Sequence, residues 1–293
     1  MSTAREMRLR IASVKDLSQV TRALKTVSVS KARKAVAANA ASLPYSQKAW
    51  QVLIDLARQP GHNSLHPLLC EREHIDRVMV IMVSSDKGLA GSYNMNVLRN
   101  TLQYFDTFSQ PVDYICVGKK GRDLLLRRKI RVIADFSEMN DPVTFLDISP
   151  ISRLVVEDFL SGVYDRVYVS FTRFHSMTHQ EPEIRKLLPL EVEQRAGAEG
   201  KQNPLTHSVF TYEPDQKQIL DEIIPRFTGI QIYQSVLSSQ ASEHAARMLA
   251  MANATDNANE LVDVLQLEYN KVRQQTITNN MLDIVGGAAA QGS

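Results

Sequence analysis

The last part of the chain contains 56 consecutive residues, 230–285, without a single glycine or proline. Nothing in this stretch interrupts a helix, and one continuous helix of that length would reach roughly 84 Å. Helices of globular proteins average about 11 to 12 residues, so a helix this long has to lie against a partner. The stretch therefore predicts a helical rod that is not stable alone.

The other end of the chain offers that partner. Residues 1–43 also lack glycine and proline, and their apolar residues recur at steps of three and four, as in a coiled coil. This stripe consists of Met7, Ile11, Val14, Leu17, Val20, Leu24 and Val27. We predict an antiparallel coiled coil of two helices, assigned to residues 1–60 and 213–293, in which Pro44 is a kink or a break.

The apolar stripe of the C-terminal rod is sparse. It runs through Ile230, Tyr233, Leu237, Ala241, Ala245, Met248, Ala252, Leu261, Leu265, Val272, Ile277, Met281 and Ile284. Alanine lets two helices approach closely, but it buries little apolar area. Pro225 and Gly229 precede the stripe and are expected to interrupt the chain before the rod begins. The composition predicts a rod that is stable only when something encloses it.

Residues 76–212 show a different pattern. Apolar, β-branched runs of strand length occur at residues 77–85, 112–118, 130–136 and 165–174, and they alternate with segments of helical character. One of these helices is expected to open near Ser149. This order predicts a small, mostly parallel, Rossmann-like α/β domain, so the expected fold class is α/β plus a long antiparallel coiled coil.

Sequence motifs for catalysis or cofactor binding are weak. The turn at residues 84–94 has two glycines after a strand, but Lys87 precedes the first of them, which fits neither phosphate-binding pattern. His175 and His179, with Glu181 and Glu183 close by, come nearest to a metal cluster, yet we expect them in an exposed loop. We predict no catalytic, cofactor-binding or metal-binding residues.

The N-terminal helix is strongly basic on its outer faces. Arg5, Arg8, Arg10, Lys15, Arg22, Lys25, Lys31, Arg33 and Lys34 stand against only Glu6 and Asp16, although the net charge of the whole chain is only +2. Such a run is either a solvated face or a surface for an acidic protein. Nucleic acid is not favoured, because the region has no interleaved aromatic residues and no basic-zipper layout.

Several segments together resemble the gamma subunit of F-type ATP synthase. They are REMRLRIASV, VTRALKTVSVSKARK, VSSDKGLAGSYN, KLLPL, YEPD and the long block that runs from SEHAARMLAMANATDNANE to MLDIVGGAAA. The similarity follows the order of the family over essentially the whole chain. It implies a non-catalytic rotor shaft, whose paired terminal helices turn inside a hexamer of alpha and beta subunits.

The resemblance also implies the other partners and the contact residues. The α/β domain is expected against the epsilon subunit and the c-ring, with Tyr212 and Glu213 near the c-ring. The expected beta-subunit contacts are Lys31, Arg33, Lys34, Arg273, Gln274 and Thr278. No cofactor and no small-molecule substrate are implied, since ATP forms on the beta subunits. The chain would lie peripherally on the cytoplasmic face of a bacterial plasma membrane.

Two other hypotheses follow from the residues alone. The first is a basic coiled-coil adaptor that binds an acidic protein or nucleic acid, for which steep salt dependence of DNA binding would be the signature. The second is a small-molecule enzyme on the α/β domain, which requires nucleotide binding by residues 76–212.

Overall fold

The computed structural model of the protein describes residues 4–57, 67–72, 74–190 and 216–291. At residues 53–57, 216–221, 283 and 286–291 it describes the backbone alone. In chain order the elements are α1 (Ala4–Ala57), a short 3-10 helix (Pro67–Leu69), β1 (Val78–Val83), α2 (Tyr93–Phe105), β2 (Val112–Val117), α3 (Lys119–Arg127), β3 (Val132–Phe136), α4 (Phe145–Leu160), β4 (Arg166–Phe174), β5 (Gln180–Leu188) and α5 (Gln216–Gln291).

The two terminal helices are as long as the sequence predicts. α1 has 54 residues and continues through Pro44, and α5 has 76 residues. The expectation that Pro225 and Gly229 interrupt the chain is wrong, because both lie inside α5. At Gly229 the absence of a side chain serves packing instead: a Cβ there would come within 3.0 Å of the Ser152 hydroxyl of α4.

The sheet confirms the predicted α/β domain and extends it. Its order is β3-β2-β1-β4-β5; β1 to β4 are parallel, and β5 runs antiparallel to β4 at the edge. β5 was not predicted from the sequence, because Pro182 and several charged residues break its apolar pattern. An edge strand tolerates both features, since one of its sides makes no ladder hydrogen bonds.

The start of α4 also differs from the prediction. The helix begins at Phe145 rather than near Ser149, with Thr144 as its N-cap. The Asp147 carboxylate accepts hydrogen bonds from the main-chain N–H of Thr144 at 2.8 Å and from its hydroxyl at 2.7 Å. This capping box fixes the helix start, and Pro150 is accommodated within the helix.

Both faces of the sheet are covered. On one face α4 and α5 pack against a core that includes Phe159, Phe171 and Leu237. On the other face α2 and α3 pack against a second core around Val80, Leu98, Cys116 and Leu125. Because both faces are buried, β1 is apolar at every position and fully buried.

The chain divides into two compact units. One consists of Met1–Ser28 and Arg247–Ser293, and the other is Val29–Ala246, so α1 and α5 contribute to both. The sequence-based division into residues 1–60, 76–212 and 213–293 follows the chain order and stays a prediction. Within the second unit, the rings of Trp50 on α1 and Phe227 on α5 stack at 5.1 Å between centroids.

In the first unit α1 and α5 run antiparallel. The Arg8 guanidinium donates a hydrogen bond to the Tyr269 hydroxyl, and the Ser18 hydroxyl donates to Asn259 Oδ1, each at 2.7 Å. As the residue number increases along α1, the residue number of its partner on α5 decreases. This arrangement confirms the predicted antiparallel coiled coil.

The interior of this coiled coil is more polar than predicted. Met7 and Ile11 are buried as expected, but Leu17, Val20 and Val27 are each more than half exposed. The buried positions that follow Ile11 on α1 include Ser18, Thr21 and Ser28. Across the interface the hydroxyls of Thr21 and Thr255 lie 2.7 Å apart and share a hydrogen bond. Small polar residues therefore form much of the seam, one position away from the apolar stripe read from the sequence.

Candidate functional site

The three predicted contact residues of α5 lie on its exposed surface. Arg273, Gln274 and Thr278 are all accessible to solvent in the first unit. The Thr278 hydroxyl donates a hydrogen bond to the main-chain oxygen of Gln274 at 3.0 Å, one turn earlier, so the two residues share a face. All three side chains are exposed, and their contact with a partner stays a prediction.

Basic charge gathers beside Arg273. The Arg8 guanidinium lies 5.6 Å from the centre of the Tyr269 ring. The hydrogen bond from Arg8 and the positive charges of Arg8 and Arg273 lower the pKa of Tyr269 below its ordinary value. This end of the helix pair therefore presents a basic surface to whatever lies beside it.

The predicted contacts on α1 divide into two kinds. Arg33 and Lys34 are exposed, whereas Lys31 is half-buried and its ammonium group donates a hydrogen bond to Asp141 at 2.8 Å. Lys31 is thus already engaged within the chain, and the other two cations face solvent. Tyr212 and Glu213, predicted near a c-ring, lie outside the described residues.

Asp141 is a junction between three elements of the second unit. Besides Lys31 of α1, it contacts His244 of α5, whose Nε2 lies 3.0 Å from both carboxylate oxygens. Burial alone would raise the pKa of Asp141, but the hydrogen bonds and positive charges of His244 and Lys31 outweigh it and lower the pKa to about 2. The loop that carries Asp141 is thereby tied to both long helices.

Gln240 of α5 holds the same loop through its main chain. Its side-chain amide donates a hydrogen bond to the Asn140 carbonyl, and its side-chain oxygen accepts one from the Val143 N–H, each at 3.0 Å. A side-chain amide that satisfies two main-chain groups fixes the loop as a strand partner would. His244 and Gln240 lie one helical turn apart, so one face of α5 makes both contacts.

Asp141→Asn is expected to lower the free energy of unfolding by about 1–2 kcal/mol at neutral pH, once solvent screening is allowed for. The pKa of Asp141 falls from 3.8 to about 2 on folding, so its contribution is complete above about pH 4 and disappears as the pH falls through about 2. Chemical denaturation measured from pH 7 to pH 2 should show the difference in free energy of unfolding between the unchanged chain and Asp141→Asn becoming smaller. Asp106→Asn makes the same change at an exposed position and should alter the free energy of unfolding by less than about 0.5 kcal/mol; an equal effect of both variants would contradict the assignment.

A ladder of serines joins α5 to β4. The Ser239 hydroxyl accepts a hydrogen bond from the main-chain N–H of Thr172 at 3.2 Å, and the Ser238 hydroxyl accepts one from the N–H of Phe174 at 2.9 Å. The Ser242 hydroxyl donates to the Thr172 carbonyl at 3.2 Å. We call Ser238, Ser239 and Ser242 the serine ladder.

The serine ladder has a clear structural cause. β1 pairs with β4 only as far as Ser170, so the main chain beyond it loses its strand partner on that side. Buried main-chain groups without partners are costly, and the hydroxyls of α5 replace the missing strand. Ser239 also shares a hydrogen bond of 2.8 Å with the Tyr93 hydroxyl of α2. α5 is therefore bonded to the sheet itself as well as packed against it.

Hydrogen bonds within the chain link several main-chain groups at the carboxyl edge of the sheet. Asp86 accepts hydrogen bonds from the main-chain N–H groups of Lys119, at the start of α3, and of Glu138. The Ser84 hydroxyl accepts another from the N–H of Gly121 at 2.9 Å. The N–H groups of Lys119 and Gly121 lie in the first turn of α3, where a phosphate at a helix N-terminus would need them. The turn after β1 is thus tied to α3 and to the turn after β3 by hydrogen bonds within the chain.

His175, His179 and Glu181 come together at the turn between β4 and β5. Each of the three offers one potential metal ligand atom, and these atoms all lie within 4.8 Å of one another. The residues are exposed, as the sequence predicts, but the strands on either side give them a defined geometry that the sequence did not reveal.

Sequence reasoning missed the serine ladder and the Asp141 contacts. Ser238, Ser239 and Ser242 lie beside the buried Leu237 and Ala241. Polar residues that repeat at helical spacing on a buried face indicate bonding to another element, and that signal was present in the sequence. The pairing of Asp141 with Lys31 and His244 has no sequence signal, since the residues are far apart along the chain.

Among the described residues, no helix contains an apolar stretch long enough to cross a membrane.

Comparison with known sequences points in one direction. The sequence model of a family described as ATP synthase matches residues 3–291. The ATP synthase gamma chain of Dehalococcoides mccartyi (strain CBDB1) is 39% identical over 292 residues, which cover 99% of each chain. The ATP synthase gamma chain of Roseiflexus sp. (strain RS-1) is 40% identical over 294 residues, with 99% of each chain covered.

Solved structures share the fold. The rotor of the Euglena gracilis mitochondrial ATP synthase matches with a TM-score of 0.64 at 18% identity, over 94% of this chain and 98% of that chain. The central stalk and c-ring structure of the Tetrahymena thermophila mitochondrial ATP synthase contains a chain that matches with a TM-score of 0.60 at 20% identity, over 80% of this chain and 99% of that chain.

Proposed function

We propose that this chain, which belongs to the ATP synthase gamma chain family, is the central rotor shaft of an F-type ATP synthase. In this function it couples proton-driven rotation of the c-ring to ATP synthesis on the beta subunits. It contributes no catalytic residue itself. Its partners are the alpha and beta subunits, the epsilon subunit and the c-ring.

The observation that carries this proposal is the exposed apolar surface of α5 near its C-terminal end. Met281, Leu282, Ile284 and Val285 lie within a stretch of five residues and are between 63% and 72% exposed. Large apolar side chains that cluster on a surface mark an interaction site. A sleeve of alpha and beta subunits would cover them, and it would also support a helix pair whose own seam is rich in small polar residues.

The mechanism follows from the asymmetry of the helix pair. Its faces differ, since α1 and α5 have different sequences and present different side chains around the pair. As the pair turns, each beta subunit meets a different face in succession. Differential contact shifts each catalytic site between open and closed states, because a ligand or partner shifts an equilibrium only by the difference in its affinity for the two states.

Torque has to pass between the α/β domain and α5. In the proposed function the α/β domain contacts the epsilon subunit and the c-ring, with Tyr212 and Glu213 near the latter. The serine ladder and the Asp141 contacts bond the sheet and its loops to α5, so rotation of the domain carries α5 with it. Arg273, Gln274, Thr278, Arg33 and Lys34 would then act on the beta subunits, while Lys31 has a second role within the chain.

As part of such a complex, the chain lies peripherally on the cytoplasmic face of a bacterial plasma membrane. This location rests on the bacterial relatives and on the partners of the proposed function.

Assembly tests the proposal directly. Coexpressed with the alpha and beta subunits of its own organism, the chain should copurify with them as one complex that hydrolyses ATP. A chain that remains monomeric in their presence would contradict the shaft. If it instead bound bare duplex DNA with steep salt dependence, the adaptor hypothesis would replace it.

Arg273→Ala is expected to reduce ATP synthesis by the assembled complex about 3- to 10-fold, equivalent to roughly 1 kcal/mol of coupling. The residue is exposed on α5, so the free energy of unfolding of the isolated chain should change by less than about 0.5 kcal/mol. Arg99→Ala makes the same change at an exposed position of α2 and should leave synthesis unaffected. A large loss of helicity in Arg273→Ala, or equal effects of the two variants, would contradict the proposed contact.

A further inference from the structure

We propose that His175, His179 and Glu181 form a binding site for a divalent transition-metal ion of the Zn²⁺ type, at the turn between β4 and β5. This site is independent of the shaft function, and the sequence alone had led us to predict no metal site. What changes the conclusion is the geometry that the two strands impose on the turn.

The three side chains lie on one face of a hairpin. Phe174 pairs with Gln180 and Arg173 with Glu181 across β4 and β5, which places His175 opposite His179. Side chains two apart on a strand point to the same face, so Glu181 lies on the same side as His179. The hairpin thus brings two imidazoles and a carboxylate together from both of its arms.

Hydrogen bonds within the turn hold its backbone in place. The main-chain N–H groups of His175 and Ser176 donate to the carbonyl of His179 at 3.3 and 3.0 Å. The Ser176 hydroxyl accepts from the N–H of His179 at 3.0 Å, and the Gln180 side-chain amide donates to the Ser176 carbonyl at 3.0 Å. A turn bonded in this way presents its ligands without a large ordering cost on binding.

The distances suit a small ion. His175 Nε2 and Glu181 Oε2 are 3.4 Å apart, and the two imidazole rings lie 5.1 Å apart with their planes tilted by 35°. A tetrahedral ion with bonds of about 2.0–2.1 Å holds its ligands about 3.3 Å from one another. The pair of His175 and Glu181 is already at that spacing. Rotation of His179 about its side-chain bonds would bring its ring nitrogen to the same distance from the other two ligand atoms.

The ligand types and charges select the ion. Imidazole nitrogens with one carboxylate favour Zn²⁺ and related transition metals over Mg²⁺ or Ca²⁺, which prefer oxygen ligands alone. Arg173, the nearby cation on the same face, is paired with Glu183 through a hydrogen bond of 2.9 Å. Glu183 also accepts a hydrogen bond from Arg185 at 3.0 Å, so it holds both guanidinium groups, and none of the described side-chain contacts of Arg173 reaches Glu181. Three protein ligands on an exposed turn leave a fourth position for water.

The test is equilibrium binding of Zn²⁺ to the full chain at neutral pH, measured in competition with a chromophoric chelator. We expect one saturable site, weakened at least tenfold in His175→Ala and in His179→Ala and severalfold in Glu181→Gln. His74→Ala removes an exposed histidine elsewhere and should not change the affinity.

The outcomes separate cleanly. A site lost in His175→Ala and His179→Ala but retained in His74→Ala supports the proposal. Absence of saturable binding, or equal weakening in His179→Ala and His74→Ala, overturns it. All three imidazole positions are exposed, so circular dichroism should show the fold of each variant unchanged, and a loss of binding then reports on the ligands themselves.

Discussion

Gly118→Ala is expected to lower the free energy of unfolding of the chain by more than about 3 kcal/mol. Gly118 has φ of +99° and ψ of 139°, a conformation that side chains rarely tolerate. An added Cβ would lie 2.3 Å from the main-chain oxygen of Ser84, so the backbone itself would have to move. Because Gly118 joins β2 to α3, this movement would disturb the sheet against which α5 packs. Chemical denaturation followed by circular dichroism measures the loss.

Gly88→Ala is the matched control. Gly88 lies in the turn after β1. The atom nearest to a Cβ added there would be Lys120 Cε, near the flexible end of that side chain, at 3.9 Å. We expect a change of less than about 1 kcal/mol there. Comparable destabilisation by the two variants would show that the close approach at Gly118 is not the cause.

Replacing the whole serine ladder, Ser238, Ser239 and Ser242, with alanine is expected to cost about 3–5 kcal/mol of stability. The buried N–H group of Thr172 and the half-buried N–H group of Phe174 would then lack these partners. In the assembled complex, ATP-driven proton pumping per ATP hydrolysed should fall severalfold, because α5 would be less firmly bonded to the sheet. Proton pumping and ATP hydrolysis measured on the same membranes give the ratio directly.

Ser235→Ala provides the control for the ladder. The Ser235 hydroxyl is buried and donates to the Gln231 carbonyl of its own helix, so its removal breaks no bond to the sheet. If the triple variant is too unstable to assemble, Ser239→Ala alone, which removes the partner of both Thr172 and Tyr93, should give a smaller loss in the same direction. Unchanged pumping in Ser239→Ala, with a stability equal to that of Ser235→Ala, would contradict the role of the ladder.

The long helices and the parallel strands follow from the sequence because their signals are local. Long runs without glycine or proline specify α1 and α5, and unbroken apolar runs specify β1 to β4. The helix seam was harder to predict. Its hydroxyl pairs, such as Thr21 with Thr255, depend on a partner far away in the chain. Along α1 alone, the apolar residues that lie one position before the buried hydroxyls form the stronger pattern.

The candidate site was the least predictable part. Arg273, Gln274 and Thr278 came from the family resemblance, and the structure adds only that they are exposed. The serine ladder exists because β1 ends before β4 does, which is a property of the sheet rather than of any segment. The proposed metal site depends on β5, and β5 is not recognisable in the sequence because Pro182 interrupts its strand pattern. Long-range pairing determines all of these features, and a single sequence contains no direct measure of it.

Rotation itself is the most direct test of the shaft. The complex of this chain with its own alpha and beta subunits would be fixed to a surface through the beta subunits. A bead would be attached to this chain at a cysteine introduced by Arg99→Cys on α2, with Cys70→Ser removing the half-exposed native thiol. We expect continuous rotation of the bead in one direction, and only in the presence of ATP. A bead that stays still while the same complex hydrolyses ATP would contradict it.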